Sequence, residues 1–344
     1  MVSLMQVMAG APVGGAEAFF ERLVVALNAR GTPQTVVVRD HQDRVRRLRR
    51  AGVEPETLRF GGFLDVTTCA KLRSLIDRDR PQVVLTWMNR ATAMCPTPSP
   101  ARPFVFVARL GGYYNLKYYR RCDHLIANTL GIRRYLLDQG WDPKRVHYLP
   151  NFVEVDGGEN PRTSPGSSDH GRRIFAAGRL HQNKGFDVLV RALSMIDDAH
   201  LYVAGSGPQE RTLKDIANEV GVADRITWLG WLDTLSDQYR AADVFVCPSR
   251  HEPLGNVVVE AWAASCPVVA AAAEGPTELI EDGKDGLLVE VEDQVGLAAA
   301  INNVLNEPTL GRSMAEAGYA RYLKSYSKDV VVEEYVNFFK GVAL

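Results

Sequence analysis

No run of about eighteen consecutive apolar residues occurs anywhere in the 344 residues, so no membrane-spanning helix is expected. The opening MVSLMQVMAGAPVGG lacks the basic start and long apolar core of a secretory signal, and a cytoplasmic protein is the expectation. Cysteine is scarce. Five residues, at 69, 95, 122, 247 and 266, form an odd and widely spaced set, which argues against a disulfide framework or a cysteine-held zinc ion and for buried thiols. Net charge is almost absent, −1 at pH 7, and no nucleic-acid-binding motif is present. The one D-x-D spacing, Asp77-Arg78-Asp79, falls near a helix end and reads as surface charge, so no metal is expected.

The length and a hydrophobic content of 46% favour two globular domains over one. The small net charge conceals a division: residues 1–150 hold 23 Lys and Arg against 12 Asp and Glu, and the remainder 17 against 29. A basic first half suits an anionic acceptor or a lipid surface; mutual attraction of the halves is the alternative.

Strand and helix patterns alternate. Strands are expected at Val2–Met8, Thr35–Val38, Gln82–Trp87 and Phe104–Ala108, with helices at Ala16–Arg30 and Val66–Asp79. A Gly-, Pro- and Ser-rich stretch at 153–171 reads as a linker between a domain at 1–152 and one at 172–325. Beyond it come strands Ile174–Ala177, His200–Ala204, Ile226–Trp228, Val244–Cys247 and Val268–Ala271, with helices Asp187–Met195, Gln209–Val220, Leu235–Ala241, Val257–Ala264 and Gly275–Ile280. A last helix, Asp329–Phe339, lies in a segment at 326–344 expected to return to the first domain. This is an α/β pattern of two Rossmann-like βαβ domains, in which ligands bind beyond the carboxyl ends of the strands.

The stretch SRHEPLGNVVVEAWA places Glu252 and Glu260 seven residues apart across a strand-to-helix junction. Leu254, Gly255, Asn256 and Val257 lie at the helix start, where free backbone N–H groups suit phosphate or sugar oxygens. Glu252 precedes the helix and suits a sugar hydroxyl; Glu260, one turn inside, suits two ribose hydroxyls. A solvated cap with two surface acids is the plain alternative. Gly205-Ser206-Gly207-Pro208 approximates a dinucleotide fingerprint, but Glu210 occupies the third glycine position, which weakens a dehydrogenase reading.

Glu252-Pro253-Leu254-Gly255-Asn256 through Glu260 resembles the E-x7-E motif of the fourth family of retaining glycosyltransferases. AAGRLHQNKGFDVLVRAL, LYVAGSGPQE, ITWLGWL, AADVFVCPS and EGPTELIEDGKDGLLV resemble that family's other segments in order. The resemblance implies a GT-B fold with two domains facing a cleft. It implies a nucleotide diphosphate sugar as substrate, UDP-linked with a hexose or N-acetylhexosamine, and no cofactor. It casts Arg179 and Lys184 as cations on the donor diphosphate, beside Glu252 as the third catalytic residue. Such fixed donors stabilise the diphosphate charge that grows as the sugar–phosphate bond breaks. Gly205 and Gly207 make room for the base or ribose, and Gly14 and Gly15 form a glycine turn facing the donor.

Where many relatives carry a histidine this chain has Arg109, either as its substitute or as an acceptor contact. Tyr113, Tyr114, Trp87 and Asn89 are further acceptor candidates, and Arg44 to Arg50 a candidate peripheral membrane contact. The expected acceptor is a glycolipid or saccharide of the cell envelope, such as lipopolysaccharide core. A sugar-nucleotide epimerase or hydrolase on the same frame, and a silent sugar-nucleotide-binding subunit, are the alternatives.

Overall fold

A computed structural model describes residues 2–12, 14–61, 65–154 and 171–343. Its contacts divide the chain into one unit of residues 1–152 with 328–344 and another of residues 153–327. Most of the expected linker, 155–170, lies outside the described residues.

The first unit is a parallel sheet of β1 (Leu4–Met8), β2 (Gln34–Arg39), β3 (Glu56–Leu58), β4 (Val83–Trp87), β5 (Val105–Leu110), β6 (His124–Ala127) and β7 (Val146–Tyr148), in the order β3-β2-β1-β4-β5-β6-β7. Alternate residues face opposite sides, and both sides are apolar, as a parallel sheet under helices requires. Leu4 and Met8 meet Phe19, Phe20 and Leu23 of the Gly15–Ala29 helix. Val7 and Val84 meet Leu72 and Ile76 of the Val66–Asp79 helix. That second helix starts at Asp65, whose carboxylate accepts from the Thr68 N–H, a conventional N-cap. The helix Lys328–Val342 puts Val331, Val332, Tyr335 and Phe339 into the same core as Phe19.

The second unit is a parallel sheet of β8 (Arg172–Ala177), β9 (Ala199–Ala204), β10 (Ile226–Gly230), β11 (Val244–Cys247), β12 (Val268–Ala271) and β13 (Leu287–Val289), in the order β10-β9-β8-β11-β12-β13. Ile174 and Ala176 face the Phe186–Leu193 helix, while Phe175 and Ala177 face the Asn256–Ala263 helix.

Two Rossmann-like βαβ units are therefore present, as expected. The three-residue strands β3, β7 and β13, strand β6 and the helices Met88–Met94, Leu130–Asp138, Gln294–Asn306 and Pro308–Ser325 add to the expected set. In each unit the chain winds outward, then returns beside its first strand, so strand order reverses between β1 and β4 and between β8 and β11. At such a reversal the loops on either side diverge and leave a crevice.

Candidate active site

Lys184 and Glu252 meet across the β8/β11 reversal. Lys184 ends a short turn, Gln182–Lys184, after β8; Glu252 lies in the loop after β11. Lys184 Nζ pairs with Glu252 Oε2, and Glu252 is only 7% exposed. A charge taken that far out of water needs a partner, and each supplies the other's. Glu252 is fastened further by its backbone, whose carbonyl accepts from the Gly275 N–H at 2.7 Å. A Cβ on Gly275 would lie 2.7 Å from the Gly255 nitrogen, so glycine is what lets the two loops touch.

The helix Asn256–Ala263 begins at Gly255, which adopts the left-handed conformation with φ 67°. Its N–H is not left for a ligand, contrary to the sequence expectation: it points to Glu252 Oε1 at 3.4 Å. A carboxylate thus already occupies the favourable end of the helix dipole, and an incoming anion needs separate cations to hold it. Leu254, Asn256 and Val257 are half-buried around this start. One turn on, Glu260 Oε2 accepts from the Tyr239 hydroxyl at 3.1 Å. Burial, then the charge of Glu260, pushes Tyr239 well above its ordinary pKa, so it stays a donor. Burial, followed by the charge of Glu252, raises the Cys247 thiol at the end of β11 to about 11, which leaves it protonated and a poor nucleophile at neutral pH.

Arg179 is exposed beyond β8, and among the described residues its guanidinium pairs with no carboxylate. Gly205 and Gly207 follow β9, but the space a side chain would fill there is taken by protein. A Cβ on Gly205, at φ 136°, would run into the Gly178 carbonyl, and one on Gly207 into the backbone of Leu180. The expectation that these glycines open room for a base gives way to close loop packing as the reason for glycine. Trp228 is half-buried against the core.

In the first unit Gly14 and Gly15 begin the Gly15–Ala29 helix after β1. A Cβ on Gly14 would strike the Glu17 carboxylate, which turns back to accept from the Ala11 N–H at 2.8 Å; one on Gly15 would meet nothing within 4 Å. Two expected acceptor residues are corrected. Arg109 is 1% exposed, sandwiched 4.6 and 4.7 Å from the ring centres of Phe19 and Trp87, and donates to Tyr335 Oη at 2.8 Å and Asn151 Oδ1 at 2.5 Å. It stands in the core and replaces no substrate-facing histidine. Trp87 is likewise 1% exposed, with its indole N–H on Gln6 Oε1 at 3.3 Å.

Asn89 is half-buried and accepts from the Tyr119 hydroxyl at 2.7 Å; Tyr114 is half-buried and stacks on Tyr119. Tyr113 stays half-exposed, edge-on to Tyr135. Four of the five arginines of the basic helix Gln42–Arg50 have carboxylate partners. Arg44 and Arg47 share Glu21, Arg46 pairs with Asp43, and Arg49 with Glu54. Of the D-x-D acids, Asp77 pairs with Arg102 and Asp79 with Arg78.

Sequence reasoning assigned no role to three residues around Glu252. Glu274, opening a short helix after β12, accepts from His251 Nδ1 at 2.8 Å and from the Glu252 N–H at 3.4 Å. Arg250 joins the Glu252 loop to neighbouring segments through Asp187 and Glu292. The signal available in the sequence was position alone: each lies just past a strand end in the same sheet.

Residues 13–156 match the family described as Glycosyltransferase Family 4, and residues 171–307 the family described as Glycosyl transferases group 1. The chain is 32% identical over 333 residues to the lipopolysaccharide core biosynthesis glycosyltransferase LpsE of Rhizobium meliloti (strain 1021), across 94% of this chain and 95% of that protein. To LpsD of the same strain, also a lipopolysaccharide core biosynthesis glycosyltransferase, it is 29% identical over 342 residues, across 96% of each. The structure of Anabaena Alr3699/HepE in complex with UDP and glucose is similar with a TM-score of 0.79 at 17% identity, across 99% of this chain and 100% of that one, a likeness of fold. With a relative of this identity along nearly its whole length, and both halves matched, the chain belongs to the Family 4, group 1 glycosyltransferases and has their GT-B fold of two Rossmann-like domains.

Proposed function

We propose that this chain transfers a hexose or N-acetylhexosamine, with retention of configuration and without a metal, from a UDP-linked donor to a lipopolysaccharide core acceptor. The observation that carries the reading is the Lys184–Glu252 pair at the β8/β11 reversal. The names of LpsE and LpsD support the acceptor class, and the UDP and glucose bound in HepE support the donor class.

The pair suggests an exchange. The donor diphosphate takes over Lys184, with Arg179 beside it, and the cations then stabilise the charge that accumulates on the leaving diphosphate. Glu252, relieved of Lys184, accepts a hydroxyl of the donor sugar and orients its anomeric carbon, while Glu260 accepts the ribose hydroxyls. The protonated Cys247 thiol, and a Glu252 carboxylate engaged by the sugar hydroxyl, offer no ready covalent nucleophile. A front-face displacement, in which the leaving phosphate oxygen takes the acceptor's proton, fits these groups and retains configuration.

Lys184→Ala is expected to lower turnover about 100- to 1,000-fold, as loss of one fixed charge-stabilising donor does. Glu252→Gln is expected to lower it comparably, with far-UV circular dichroism unchanged for both. Product release from a panel of UDP-sugars with core oligosaccharide, with and without a chelator, is the measurement. Near-normal rates in both variants, or extinction of transfer by the chelator, would overturn the proposal.

A further inference from the structure

Arg250 occupies the loop that carries Glu252, yet its guanidinium is engaged in a fork of its own. Its Nη1 and Nη2 donate to the two Asp187 oxygens at 2.7 and 2.6 Å, Nη1 also donates to the Gln182 carbonyl at 2.8 Å, and Nη2 reaches Glu292 Oε2 at 2.9 Å. These partners lie on separate segments: the Gln182–Lys184 turn, the first turn of the Phe186–Leu193 helix and the turn after β13. Glu292 holds a left-handed backbone, φ 69°, a conformation that costs a non-glycine residue strain. Glycine would relieve that cost and lose the carboxylate.

The same two loops are joined by backbone as well. The His251 N–H donates to the Asn183 carbonyl at 3.1 Å, and glycine at 185, φ 62°, allows the chain to pass against the Pro248 carbonyl. Arg250 thus ties the loop bearing Glu252 to the loop bearing Lys184 through contacts that include neither residue. Two carboxylates face its one positive charge, so it has little to offer a phosphate. What a planar, bidentate fork supplies is geometry. Lys184, a point charge on a flexible stem, cannot set that geometry by itself.

We propose that Arg250 is a positioning residue, whose fork to Asp187 and Glu292 holds the β11 loop in the register that brings Glu252 to Lys184 and so governs the rate of transfer without touching either substrate. This rests on the reading of Lys184 and Glu252 as the reacting pair. An error of about 1 Å in such a constellation lowers rates by about a hundredfold.

Competitive acetylation of the full-length chain, read at Lys184 by peptide mass spectrometry, tests the geometry independently of substrate. Arg250→Met is expected to raise Lys184 labelling to the level of Glu252→Gln, the double variant to add nothing further, and Arg250→Lys to fall between. In turnover Arg250→Met is expected to lower kcat about 10- to 100-fold while donor KM changes less than about threefold. Labelling and kcat unchanged in Arg250→Met, when Glu252→Gln changes both, would overturn the role of Arg250 and leave the active-site reading standing. Neither quantity changing in Glu252→Gln would overturn that reading instead. Should Arg250→Met not fold, Asp187→Asn and Glu292→Gln each remove one arm of the fork; graded labelling is expected, and no change in both overturns the proposal.

Discussion

Glycine 205 shows what a single residue discloses in sequence and what it withholds. Its place after a strand, in a Gly-Ser-Gly-Pro turn, marks a backbone need, and a ligand is the obvious claimant in a nucleotide-binding pattern. The claimant in the structure is the Gly178 carbonyl on the adjoining loop. Gly205→Ala is accordingly expected to cost about 2–3 kcal/mol in urea unfolding, from a strained φ of 136° and a collision that backbone cannot relax cheaply. Gly15→Ala, where a Cβ meets open space, is expected to stay within about 0.5 kcal/mol of the parent. Equal stability of the two variants would return Gly205 to the ligand. Arg109 misled for a related reason. A cation at the end of a strand reads as ligand-facing, and nothing local reveals that Phe19, Trp87 and Tyr335, remote in sequence, enclose it. Glu252 was singled out by its spacing from Glu260 across a strand-to-helix junction and Lys184 by the family resemblance; that the two follow the strands flanking the reversal is visible only in the fold.

At the scale of elements, the long buried strands and amphipathic helices were readable from periodicity. Strands of three residues, β3, β7 and β13, are too short to display alternation and exist because a neighbour pairs with them. Strand β7 carries an element-level consequence. His147 on β7 contacts His124 on β6, Nε2 to Nδ1 at 3.1 Å, and the Phe338 ring of the Lys328–Val342 helix covers both. Burial first, then the neighbouring His124 and Arg133, holds the His147 pKa down to about 4. An unfolded histidine titrates at about 6.5, so between those values the unfolded chain binds the proton that the native chain refuses. Stability from this site is therefore complete above about pH 6.5 and is lost as pH falls towards 4. Urea midpoints between pH 7 and 4.5 should decline, and His147→Gln should flatten part of that decline. An unaltered slope in the variant would show that the pair is solvated in solution.

On the scale of the whole chain, the two units differ in how they are threaded. The second is one continuous segment, 153–327, with its own sheet and both faces covered by its own helices. The first is split: Lys328–Val342 returns to place Val331, Val332, Tyr335 and Phe339 in its core, each nearly fully buried. Burying a large apolar side chain contributes roughly 1.5–3 kcal/mol, so four of them approach the entire net stability of an ordinary domain, about 5–15 kcal/mol. Tyr335 also accepts the Nε–H of the buried Arg109, which without it keeps a charge in the core with one fewer partner. A fragment of residues 153–327 is expected to unfold cooperatively, whereas residues 1–152 alone should keep far-UV circular dichroism yet bind a hydrophobic dye and lose near-UV signal, as a loosely packed state does. A peptide of residues 328–344 added in trans should restore the near-UV signal and suppress dye binding, with Tyr335→Phe in the peptide weakening the effect. Cooperative, dye-free unfolding of 1–152 without the peptide would mean that the returning helix decorates the first unit and is not part of its core.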